Sequence, residues 1–103
     1  MAGKNITHGT TSAGSVTEVD LLRYHSAVEV ISRGAGDFWV STDANNQTPA
    51  ANQDDVEWIG ANSSNTLPVL TPRPDQGHGD DPSGGTKIWI YCAAAVAFTV
   101  NGR

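Results

Sequence analysis

The sequence predicts an all-β fold, a single small antiparallel β-sandwich of Ig-like or jelly-roll-like type with an extended N-terminal arm. Three observations carry that expectation. Apolar residues recur at every second position in short runs, the signature of half-buried strands. Clusters of Gly, Pro, Asn and Asp separate the runs at intervals of roughly 8–15 residues. No stretch repeats at the helical period. With 103 residues the chain has room for one core, so the domain organisation reads as an arm over 1–14 and a sandwich over 15–103, the latter carrying a long Pro/Gly/Asp loop at 71–86.

In the arm, Ile6 is the only large aliphatic besides Met1, and glycines and a Thr/Ser cluster erase any period. Such an arm frays unless something outside its own domain holds it, which makes it the first pointer to a partner. From Ser15 the pattern changes. Thr17, Val19 and Leu21 alternate with Glu18 and Asp20, and Ser26, Val28 and Val30 alternate with Ala27, Glu29 and Ile31. Between Ser32 and Asp37 two glycines suit a hairpin connection. Phe38, Val40 and Thr42 then alternate with Trp39 and Ser41, and turn formers follow from Asp43 to Pro49. Short strands are expected at 56–59 and 66–70; Pro68 has no N–H to give a ladder, so the second belongs at a sheet edge. After the loop, 87–92 and 95–100 are β-branched and aromatic runs that close the chain.

Charge and composition exclude several classes. The net charge is −5, and residues 37–86 hold eight acids against Arg73 alone, so a basic nucleic-acid surface is not expected. The acidic middle reads as a solvated, solubilising rim. No apolar run approaches the roughly 20 residues of a membrane span. No apolar segment follows Met1–Asn5, so no signal peptide is expected. One cysteine, Cys92, allows neither an internal disulfide nor a Cys-rich zinc site.

Catalytic chemistry finds no foothold in the pattern. The loop at 75–81 gathers Asp75, His78, Asp80 and Asp81, but not in the order of a calcium loop. His8, His25 and His78 are too scattered for metal-ligand or acid–base spacing. Cys92 ends an apolar strand and reads as a small buried hydrophobe. No catalytic residue, metal or cofactor is therefore expected, and the protein reads as a non-enzyme. What stands out instead is aromatic. Trp39 and Trp89 alternate with Phe38/Val40 and Ile88/Ile90, which puts them on the opposite strand face, and one face of each sheet in a two-layer sandwich looks outward. With Trp58, they are the residues that could anchor a protein or stack on a sugar ring.

Several segments together resemble a known group. Val28-Glu-Val-Ile-Ser-Arg33, a Gly turn, Asp37-Phe-Trp-Val-Ser-Thr-Asp43, a later Pro, an acidic strand and Ala95-Val-Ala-Phe-Thr-Val-Asn-Gly102 resemble small virion proteins of tailed phages, especially those of actinobacterial hosts. In that group a VEV-x-N/S-R strand leads through a Gly turn to a strand ending in T/V-D-G-x-x-P, and the chain closes on a-x-y/f-x-V-x-G. The resemblance spans roughly residues 17–102. It departs at Ala44, where the group has glycine, and at Pro49, which comes several residues late, so the turn after Asp43 is longer here. The resemblance implies a β-sandwich on the capsid exterior, a decoration, cement or minor capsid protein. Its implied partners are the major capsid protein and neighbouring copies of itself, a trimer among the arrangements this allows, with no nucleic acid and no membrane. The expected contacts are Lys4 and Ile6 in the arm and Trp39 and Trp89 on the aromatic face. The alternatives are a virion-displayed carbohydrate-binding module using Trp39, Trp58 or Trp89, and a tail or head–tail connector subunit.

Overall fold

The structure, a computed structural model, describes residues 6–21, 24–43, 45–51, 53–69 and 85–103. They form eight strands: β1 (Ile6–Thr10), β2 (Ser15–Asp20), β3 (Ala27–Ser32), β4 (Phe38–Ser41), β5 (Glu57–Ile59), β6 (Ser64–Pro68), β7 (Lys87–Cys92) and β8 (Ala97–Gly102). Two antiparallel sheets of four strands result, ordered β1-β8-β3-β6 and β2-β7-β4-β5. Chain order explains the arrangement. First pairs with last, second with seventh, third with sixth and fourth with fifth, so the chain is one long two-stranded ribbon wound into a sandwich. This is the strand order of a jelly roll. The Ig-like option is not realised, since β4–β5 is the one pair of sheet neighbours that follow one another in the chain.

Alternation decides which face is buried. Val28 and Val30 from β3, Leu67 from β6 and Phe98 and Val100 from β8 meet Val19 from β2, Phe38 and Val40 from β4, Ile59 from β5 and Ile88, Ile90 and Cys92 from β7. Phe38 and Phe98 tie the two sheets together edge to face, with ring centroids 6.4 Å apart and planes at 82°.

The N-terminal segment corrects the expected boundary. Residues 6–10 are not a free arm but strand β1, paired with β8 from Ile6 opposite Asn101 to Thr10 opposite Ala97. The reason is the partner strand. Thr7 and Gly9 face inward, and a Cβ on Gly9 would come within 2.7 Å of the Phe98 ring, so the core here is filled from β8 and needs little from β1. Residues 1–5, with Lys4, and the loop segment 70–84 lie outside the described residues. Pro68 sits where its chemistry requires, in the edge strand β6.

Thr11 and loops that cross between the sheets close one end of the sandwich; the connection at 33–37, expected as a hairpin, is one of these, because β3 and β4 lie in different sheets. The Thr11 hydroxyl donates to the Ala94 carbonyl at 2.8 Å and accepts from the Val96 N–H at 2.9 Å, fastening the start of the β1–β2 connection to the β7–β8 turn. On the neighbouring corner the Asn62 N–H donates to the Gly34 carbonyl at 2.9 Å.

Candidate interaction surface

The outer face of the β2-β7-β4-β5 sheet is built by the residues that alternate with the core. Register places Val16 opposite Tyr91, Tyr91 opposite Trp39 and Trp39 opposite Trp58. These four side chains therefore form one row across all four strands. Val16, Tyr91 and Trp39 are half-buried, whereas Trp58 on the edge strand is 56 % exposed. The Trp58 indole lies against Gly60, where a Cβ would come within 3.2 Å of its Cζ2. A side chain at 60 would crowd the ring, so glycine gives it a bed on the backbone.

The next row differs. Glu18 lies opposite Trp89, and Trp89 opposite Ser41. Trp89 faces away from the core, yet it is only 3 % exposed, and its indole N–H donates to Glu18 Oε1 at 3.1 Å. Ser41 beside it is fully buried. The expectation that Trp89 presents itself to a partner is therefore corrected: its ring is packed and its polar atom satisfied. Beyond it, Asp20 lies opposite Lys87.

The remaining expected contact residues separate. Trp39 stands in the middle of the aromatic row. Ile6, 49 % exposed, is on the outer face of the other sheet, opposite Asn101 of β8, so it cannot share one flat contact with Trp39. Tyr91 and Val16 belong to the row although the sequence reading named neither. Tyr91 follows Trp89 by two and so shares its face, which was a readable signal; that it lies beside Trp39 depends on strand order, which was not.

Around the polar candidates the geometry is local. The His8 ring Nδ1 is 2.8 Å from the Thr99 hydroxyl. The His25 main-chain N–H donates to Thr86 Oγ1 at 2.7 Å, and its ring covers Gly102. Cys92 is a buried free thiol. No group of three or more His, Cys, Asp or Glu converges among the described residues; the loop 75–81 with His78 is outside them. Arg103 and Glu29 form an exposed ion pair at 2.7 Å on the other sheet.

No protein-family model and no curated protein matches the sequence. Among solved structures, the chain is similar to a de novo designed double-stranded β-helix determined by solution NMR, at 15 % identity and a TM-score of 0.51, over 95 % of this chain and 97 % of that one. At that identity the likeness concerns the fold alone, and it agrees with the wound-ribbon pairing of the strands.

Proposed function

We propose that this chain is a non-enzymatic virion structural protein of a tailed phage, bound to the outside of the capsid as a decoration, cement or minor capsid protein. Its partners are the major capsid protein and neighbouring copies of itself. The observation that carries the reading is the row Tyr91–Trp39–Trp58, an aromatic strip on the outside of a sheet that ends in a largely exposed indole. Aromatic side chains are enriched at the centres of protein interfaces. The sequence resemblance over residues 17–102 supplies the context. Jelly rolls also serve in viral capsid and lectin domains, an analogy of fold and not of site. Function then follows from mass action: a protein that binds the assembled shell and not its dissociated subunits shifts the equilibrium toward the shell.

Two measurements on purified particles test this. Mass spectrometry with copy counting must find the chain in the virion at a number matching the shell's symmetry, and Trp58→Ala with Trp39→Ala must lower that occupancy at unchanged fold. Absence from particles, or undiminished occupancy of the double variant, refutes the reading. A ring of few copies would instead assign it to the tail or head–tail connector. Deleting residues 2–14 is not a usable test, because it removes β1 from the sheet.

A carbohydrate-binding role has its own supporting observation: the Trp58 indole is 56 % exposed at the sheet edge, as a ring that stacks on a pyranose must be. Glycan-array binding by the isolated domain, abolished by Trp58→Ala, would favour it over capsid attachment.

A further inference from the structure

Four strands lie at sheet edges, β1 and β6 in one sheet and β2 and β5 in the other. Edge strands are open to pairing with another chain, and proteins blunt them with proline, charge or shortness. Three of the four are blunted here. In β6 the Ser32 N–H donates to Ser63 O at 2.8 Å and the Val69 N–H to Ser26 O at 3.0 Å. Bonded pairs alternate along an antiparallel ladder, so Ser64, Thr66 and Pro68 turn their main chain outward, and Pro68 has no N–H to offer. In β2 the Leu21 N–H donates to Thr86 O at 3.0 Å, which turns Val16, Glu18 and Asp20 outward, two of them carboxylates. β5 is three residues long and carries Glu57.

β1 has none of these protections. Its sequence Ile-Thr-His-Gly-Thr contains no Pro, Asp, Glu, Lys or Arg. The Thr11 N–H donates to Val96 O at 3.0 Å and continues the β1–β8 register, so Gly9–Phe98 and Thr7–Val100 are the bonded pairs. Ile6, His8 and Thr10 are left with main-chain N–H and C=O groups directed away from β8, and no sheet partner meets them among the described residues.

We infer that β1 is a self-association edge, joining a second copy of this chain by antiparallel β1–β1 pairing about a two-fold axis at His8. The occupant follows from the strand's own symmetry. The outward residues 6, 8 and 10 are evenly placed about His8, so the axis sets Ile6 opposite Thr10 of the second copy and His8 opposite its equivalent. Both strands then use every outward donor and acceptor, in about six main-chain hydrogen bonds. On the inward side Thr7 meets Gly9, so no bulky pair collides, and β-branched Ile6 and Thr10 make a favourable cross-strand pair. No carboxylate faces another, whereas β2–β2 pairing would bring Glu18 and Asp20 of two copies, each of net charge −5, together. The contact is isologous and joins copies in pairs, where the sequence reading allowed a trimer. It deepens the self-association part of the proposed function, yet it is tested on free protein, so its failure leaves capsid occupancy unaffected.

Sedimentation velocity on the full chain from low micromolar to about 1 mM is the test. The expected result is a concentration-dependent monomer–dimer equilibrium. His8→Pro deletes an outward N–H in each copy without touching a β1–β8 main-chain bond, although the ring's hydrogen bond with the Thr99 hydroxyl is lost as well, and two lost inter-copy bonds should raise the dimer Kd about thirtyfold. Ile6→Pro, at the first residue of the strand, should act in the same direction and covers the case in which His8→Pro fails to fold. Thr66→Pro removes an outward N–H from the opposite edge and should leave the equilibrium unchanged. A wild type that stays monomeric throughout, or a dimer that survives in folded His8→Pro and Ile6→Pro, overturns the inference.

Discussion

Replacing Gly9 by alanine tests whether β1 is an integral strand. Gly9 does not have a positive φ, so its backbone accepts alanine and only the space at Cβ matters. That atom would sit 2.7 Å from Phe98 Cζ and 3.0 Å from Cε2. The ring has little freedom to retreat, being 3 % exposed and held against Phe38. Overpacking of this kind costs about 1–3 kcal/mol, and replacing a strand glycine returns about 0.5–1 kcal/mol of backbone entropy. The net expectation is a loss of about 1–2 kcal/mol, read as a fall in Tm of about 4–16 °C for a domain this size. Urea unfolding of four proteins decides the cause: wild type, Gly9→Ala, Phe98→Leu and the double variant. Leucine lacks Cζ, so in that background the alanine should cost almost nothing, giving a coupling energy of about 1–2 kcal/mol. An equal cost in both backgrounds would refute the clash, and a silent Gly9→Ala in wild type would return residues 6–10 to the status of a loose arm.

Three further outcomes are expected. Trp89→Ala should cost about 3–5 kcal/mol, as removal of a buried indole does, while Trp58→Ala should stay within about 0.5 kcal/mol; thermal melts that reverse this order would contradict the two burial assignments. Thr11→Val keeps the shape but strands the Val96 N–H and the Ala94 carbonyl, at a cost of about 1–3 kcal/mol by urea titration, and Thr11→Ser should recover most of it. Cys92, 1 % exposed, should react with a thiol reagent only through opening of the sandwich, so its labelling rate should rise in step with the instability of Gly9→Ala; fast labelling insensitive to stability would show the thiol is accessible in the native state.

The parts of the fold that were legible in the sequence are those in which a strand fills its own side of the core. Val28 and Val30, Phe38 and Val40, and Ile88 and Ile90 announce their strands because each contributes side chains of full size at period 2. β1 was illegible for the converse reason: its inward positions are Thr7 and Gly9, and the volume they leave is supplied by Phe98, far away in the chain. Pro68 marked its edge because a missing N–H is a local fact. Trp89 shows where local reasoning stops. Alternation correctly put it on the outer face, but whether an outer residue is covered depends on the packing of other segments, and this one is buried against Glu18. The aromatic row mixes the two: each member has a readable face, while their adjacency is a product of the strand order β7-β4-β5.

The pairing of first strand with eighth also constrains how the molecule is made. A ribosome delivers Ile6 to Thr10 before the other six strands and Ala97 to Gly102 after them, so β1 waits while all six are made for the neighbour that secures it. Closing the sandwich is thus a late event on a slow, non-local route. During that wait the strand lacking charge and proline has two open sides instead of one, and crowded nascent chains could join there before either has finished folding.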